Sequence, residues 1–163
     1  MRPVRNACLA VLTLTVLTLA ALTACGAQDP GVETGAEAPT GLADGTPLYF
    51  VRDDRLTLQV RETGRLGTIG DAVSLLLTGP GDSGLSTAID EVGVTRTEVT
   101  VSSGVITLRL PLATSEVGPL GVDQLVCTAV AGHVQAGGSP DIRVRLLFTD
   151  VASETGPART CPL

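Results

Sequence analysis

Two positive charges, Arg2 and Arg5, precede an apolar run from Ala7 to Ala24 that only Thr and Cys8 interrupt. Nothing else in the chain restricts its folding as much, because this run cannot join a water-soluble core without leaving a large apolar surface exposed. A basic start followed by an apolar stretch is the layout of a secretory signal. A permanent membrane helix is the competing reading, since a run of this length nearly spans a bilayer. Behind it, Gly26 to Pro47 is Gly, Ala, Pro, Thr, Asp and Glu with almost no large apolar residue. No core forms from such a composition, so the segment reads as a tether with an end-to-end distance of roughly 25 Å. The organisation expected is therefore a signal over 1–24, a tether over 25–47 and one folded domain over 48–163, enough for a single modest core.

The residues at the end of the apolar run decide between signal and permanent helix. Leu22-Thr23-Ala24-Cys25 followed by Gly26 resembles the bacterial lipobox. Small side chains before the cleavage point let an extended backbone enter a peptidase, and the Cys25 thiol is the nucleophile that accepts a diacylglyceryl group. The plainer reading is a cysteine that happens to end a signal helix. Lipidation at Cys25 agrees with position, flanks and the polar stretch beyond. Cleavage there leaves 9 Arg against 17 acids, a formal charge of −8. Each buried acyl methylene stabilises attachment by roughly 0.8 kcal/mol, so two or more chains anchor a protein without a spanning helix. The expected location is the outer face of the cell membrane, held by lipid.

The charge balance also removes function classes. The whole chain carries a formal −6 with no Lys, so no basic surface is available to displace counterions from nucleic acid. The aromatic residues are Tyr49, Phe50 and Phe148, too few for a base-stacking platform or an aromatic sugar cleft. A chain without Lys has no G-x-x-x-x-G-K-[ST] phosphate loop, and pairs such as Gly67 and Gly70 do not replace it.

Leu48 to Val51 and the alternation Leu56, Leu58, Val60 around Asp53-Asp54 predict a β-hairpin with one apolar face, the charged face of its second strand being solvated. Thr68 with Asp71 three residues on predicts a helix start, and Ile69, Ala72, Val73 and Leu76 share a helical face. Gly79-Pro80-Gly81 ends it. Val94–Val101 and Val105–Leu110, around Ser102-Ser103-Gly104, predict a second hairpin. Val122, Leu125, Val126, Ala129, Val130 and His133 predict the second helix, and Ile142–Phe148 a last strand. The class is α+β, order β-β-α-β-β-α-β, with a mixed or antiparallel sheet and two helices on one face.

These residues resemble a known family. Leu75-Leu76-Leu77-Thr78-Gly79-Pro80 is similar to the L-L-x-G-P of the GerMN domain of sporulation and spore germination. Gln124-Leu125-Val126-Cys127-Thr128 is similar to its Q-L-V-x-T stretch, and Leu48-Tyr49-Phe50-Val51 resembles its first strand. The resemblance covers about residues 47 to 150. One departure is Val151 after Asp150, where the family tends to place an Asp-Gly turn. The resemblance implies a non-catalytic extracytoplasmic domain without cofactor, of a kind tied in endospore formers to assemblies between two membranes. The Arg-only, Ala/Gly/Val-rich composition is that of a GC-rich actinobacterial coding sequence.

Few residues offer chemistry. With Cys8 in the signal and Cys25 lipidated, Cys127 and Cys161 remain, and outside the cytoplasm such a pair is most simply a disulfide. A redox or metal pair is the sharper alternative, but no C-x-x-C or His cluster completes it. His133 extends the apolar helix face, and without G-x-S-x-G no nucleophile elbow accompanies it. Asp53 and Asp54 read as a solvated turn rather than the edge of a Ca²⁺ loop. Nothing places two of the 17 acids in a glycosidase cleft. Gln124 and Thr128, at i and i+4, either recognise a partner or bond within the domain. The expectation is an interaction or scaffolding module with an envelope protein partner, its exposed sheet face or edge being the surface. A ligand-binding module for a cell-wall fragment or small molecule is the alternative.

Overall fold

The computed structural model describes residues 45–64, 67–151 and 156–163. The expected signal, Cys25 and the tether up to residue 44 lie outside them. The folded part starts earlier than the expected boundary at Leu48. Thr46 is buried and its hydroxyl meets that of Thr63 at 3.0 Å, so Thr46 and Pro47 belong to the first strand and not to a tether.

That strand, β1 (Thr46–Arg52), pairs antiparallel with β2 (Arg55–Arg61). The link is Asp53-Asp54, both with positive φ (50° and 57°), the twist a two-residue hairpin needs. Helix α1 (Ile69–Leu76) starts on Thr68, whose hydroxyl accepts the Asp71 N–H at 3.0 Å and donates to its carboxylate at 2.6 Å. It ends as Gly79 turns left-handed at φ 82°. β3 (Glu98–Ser102) and β4 (Val105–Arg109) form the second hairpin, and α2 (Pro119–Gln135) crosses over to β5 (Arg143–Leu147). β5 lies parallel to β4, as a helical crossover allows.

The class and the order β-β-α-β-β-α-β are those the periodicity predicts. The strands divide into a two-stranded sheet, β1-β2, and a three-stranded mixed sheet, β3-β4-β5. Leu48, Phe50, Leu76, Ile106, Leu125 and Val144 form the centre of one core between sheets and helices. β3 is shorter than the expected strand from Val94. Its partner β4 ends at Arg109 opposite Glu98, and Leu110 N–H turns to the Leu147 carbonyl (2.9 Å) before Pro111 interrupts the ladder. Residues 94–97 therefore have no strand to join.

α2 runs through the middle of the domain. Pro119 opens it, where a missing N–H costs nothing. A β-carbon at Gly121 would collide with the Ala88 carbonyl, so only glycine lets the helix and the 85–90 loop approach this closely. Beyond β5, Thr149 N–H bonds the Leu112 carbonyl (2.8 Å), and Arg159 exchanges two backbone bonds with Val144 (2.8 Å each). Cys161 is joined to Cys127 of α2, with Cα atoms 4.8 Å apart and a sequence separation of 34.

Asp150 clamps the end of β5 to the 114–116 turn. Its carboxylate accepts the Thr114 hydroxyl at 2.6 Å and the Thr114 N–H at 3.0 Å. Those bonds, the hydroxyl's foremost, hold the carboxyl below its ordinary value of 3.8. A carboxyl depressed by folding contributes stability that is present above its unfolded value and lost as pH falls through its folded one. Asp150→Asn is therefore expected to be less stable than the parent at neutral pH. The gap should close as pH drops below 3.8, as read by urea denaturation across an acid series. Reduction of Cys127–Cys161 should lower stability by about 4 kcal/mol in the chain-entropy account. Denaturation with and without reductant checks that figure, and an unchanged midpoint with two free thiols contradicts it.

Candidate functional site

Register decides which face of the first hairpin is left outside. The two-residue turn pairs Phe50 with Thr57 and Leu48 with Gln59. Leu48 and Phe50 point into the core, so the face of β2 that accompanies them is Thr57, Gln59 and Arg61. This reverses the expected orientation. Arg61 turns inward, 5.8 Å from the Phe50 ring centre. Its guanidinium donates to the Gly79 carbonyl at 2.8 Å and the Thr78 hydroxyl at 3.2 Å, closing the C-terminal end of α1. Gln59 is half-buried, and its Oε1 has no hydrogen-bond partner among the described residues.

The apolar face of β2 is consequently turned outward, with Leu58 at 50 % and Val60 at 51 % exposure. Together with Pro47 and Tyr49 it forms one wall of an open groove of about 500 Å³. α2 supplies the other wall through Cys127, Val130, Ala131, Val134 and Gln135, and Cys161 lies beside them. Those helix positions form one stripe, i, i+3, i+4, i+7 and i+8, about 12 Å long at 1.5 Å per residue. Among the described residues, no charged side chain lines the groove. Gly45 closes one end, its carbonyl held by Gln135 Nε2 at 2.7 Å.

Gln124 and Thr128 lie outside this groove, fully buried and bonded within the domain. Thr128 Oγ1 accepts the Tyr49 N–H (3.0 Å), and Gln124 Nε2 donates to the Tyr49 carbonyl (3.0 Å). Gln124 Oε1 accepts the Ala88 N–H at 2.8 Å. Their interaction with an outside partner is thereby corrected: of the two roles the sequence leaves open, the intradomain one occupies them. His133 is half-buried against Gly138, where a β-carbon would collide with the imidazole. Asp53 and Asp54 form the exposed hairpin turn. Among the described residues no three His, Cys, Asp or Glu side chains gather as metal ligands, and no helix is long and apolar enough to cross a membrane.

No family model matches the chain, and no curated protein matches it. Among solved structures, the tandem GerMN domains of the sporulation protein GerM from Bacillus subtilis are similar at 16 % identity, with a TM-score of 0.48. The alignment covers 79 % of this chain and 48 % of that one, so the chain spans about half of its length. A similarity of this degree does not place the chain in that family.

Gln124 has the largest predicted effect of the residues around Tyr49. Gln124→Ala leaves the Ala88 N–H and the Tyr49 carbonyl without partners in a buried place, at a cost of about 3 kcal/mol. Thr128→Val frees only one N–H and should cost about 1–2 kcal/mol. Urea denaturation of the two variants measures both, and equal, small losses would contradict this bonding.

Proposed function

We propose that this chain is an extracytoplasmic lipoprotein, anchored through Cys25, whose GerMN-like domain performs no catalysis and docks another polypeptide of the cell envelope. The observation that carries the reading is the outward apolar face of β2. Exposed side chains of this size at adjacent same-face positions, lining a groove continuous with a helix, mark a contact surface more often than a monomer's ordinary exterior. The lipobox-like Leu22–Cys25 supports the anchor, and the three sequence motifs support the domain assignment. The groove also favours a second reading, a module for a small apolar ligand, because about 500 Å³ lies within the usual range for such sites.

Crosslinking in intact cells, with capture of the native lipoprotein, tests the reading. A reproducible envelope partner is expected with the parent chain, falling at least several-fold in Leu58→Asp and Val60→Asp. Val101→Asp, equally exposed on the other sheet, should keep it. Folding is expected to change by only about 0.5 kcal/mol at such surface positions. Cys25→Ser should abolish incorporation of labelled palmitate. Capture that is indifferent to all three aspartates would remove the groove from the interaction.

A further inference from the structure

We infer that a second copy of this chain docks on the free edge of β3, about a two-fold axis at Thr100, so that the two β3-β4-β5 sheets join into one. The surface lies on the other sheet from the groove, and the inference does not depend on the docking proposed there.

The turn decides which backbone groups of β3 are free. Ser103-Gly104 is a two-residue loop with φ of 50° and 74°, closed by the pair Ser102–Val105. In such a hairpin the closing residues exchange both ladder bonds, and so does every second pair beyond them, here Thr100–Thr107 and Glu98–Arg109. Val99 and Val101 therefore direct their N–H and C=O groups away from β4, to the side where the sheet has no further strand. Neither backbone has a partner there among the described residues. Their side chains stand on the core face, since Val99 pairs with Leu108 and Val101 with Ile106, both fully buried. Val101 is nevertheless 51 % exposed, because the core ends at β3. The two valines border an open cleft of about 450 Å³ whose far wall is the start of α1, Gly67 to Gly70. That cleft lies on the free side of the strand. The Thr97 carbonyl, which shares the outward direction, would be 3.3 Å from a β-carbon on Gly70. An edge strand with a half-covered apolar face is a template for one more strand.

The sequence of β3 selects a copy of itself. In an isologous pair each contact is made twice, with the two chains exchanged. Of the antiparallel registers that join the outward valines, the one centred on Thr100 overlaps all 5 residues, Glu98–Ser102. It sets Val99 against the partner's Val101 and Val101 against the partner's Val99, each pair exchanging both backbone bonds. On the core face the valines of each copy enter the cleft of the other. On the opposite face Thr100 meets the partner's Thr100, a favourable cross-strand pair, and Glu98 meets the partner's Ser102. The overlap stops beyond Glu98, where the start of α1 covers the buried Thr97 and the partner's chain has already turned back. No like charges face each other, and Arg109 lies 3.7 Å from Glu98 in the same copy. The same operation on β2 would set Arg55 against the partner's Arg61, so that edge disfavours its own copy. A chain of formal charge −6 thus meets itself along a strand whose one acid is compensated.

The test oxidises the full chain in phosphatidylcholine vesicles with copper phenanthroline, after single cysteines have been placed on β3. Opposed residues at a non-hydrogen-bonded position have Cα atoms about 4.5 Å apart, within the roughly 4.4–6.8 Å that a disulfide spans. Thr100→Cys is expected to yield covalent dimer at least tenfold faster than Ser102→Cys. Two copies of the latter hold their thiols apart by the distance from Glu98 to Ser102, about 13 Å. Mixing Ser102→Cys with Glu98→Cys should restore fast crosslinking, between unlike chains only. Val101→Asp added to Thr100→Cys should slow dimer formation at least fivefold. All four positions are exposed, and a denaturation midpoint equal to the parent's shows that each variant is folded. Equal rates for Thr100→Cys and Ser102→Cys would mean random collision and overturn the interface, as would a folded Thr100→Cys chain that forms no dimer. Capture of an envelope partner through Leu58 and Val60 is read in cells and is unaffected by either result.

Discussion

The hydrogen bonds between α2 and Tyr49 are the constraint on which the rest of the architecture depends. A helix normally packs on a sheet face through apolar contacts. Here Gln124 and Thr128 stand in for a missing strand and satisfy the backbone of β1 at its edge. Both side chains are completely buried, so any displacement of helix from strand leaves several polar groups without water or partner. The helix is thereby fixed in rotation as well as in position. Its Leu125, Val126 and Ala129 side faces the core, and its Cys127, Val130 and Val134 side faces the groove. The same arrangement closes one edge of the first sheet and leaves β2 as the open one.

Much of the fold is legible in local signals. Thr68 with Asp71, Gly79-Pro80 and the 3.6-residue pattern after Pro119 each act through nearest neighbours in the chain, where sequence and structure are closely coupled. The direction of the first hairpin is not local in that sense. Leu48, Tyr49, Phe50 and Val51 are apolar on both faces, so the strand itself does not reveal which side is inward. Counting outward from Asp53-Asp54 yields the pairing Phe50–Thr57, but the identity of the inner face depends on α1 and α2, which arrive much later in sequence. Arg61 settles it through the carbonyl of Gly79, a contact no periodicity contains.

The groove is hidden from the sequence for a related reason. Alternation of Leu56, Leu58 and Val60 is the ordinary signature of a half-buried strand, and it does not state which half is buried. Thr57 and Gln59 look like the solvated side, yet they cover Leu48 and Phe50. The cost is visible in Gln59, whose Oε1 is buried without a partner among the described residues. Cys127 and Cys161 carry information of another kind. They lie at bonding distance, and the link draws the C-terminal residues back against α2 beside the groove.

A chain can hide an apolar strand face by slipping the register one residue, which would exchange Leu58 and Val60 for Thr57 and Gln59. The turn forbids that slip. Asp53 and Asp54 both hold positive φ, and a one-residue shift would require a longer loop and would separate Arg61 from the end of α1. Turning the whole hairpin over would bury Tyr49 and expose Phe50, losing both the bonds to α2 and the cation–ring contact. The outward placement of Leu58 and Val60 is thus a consequence of interactions that hold the core together, and no local rearrangement removes it. A surface fixed in this way presents the same backbone and side-chain pattern to every incoming molecule.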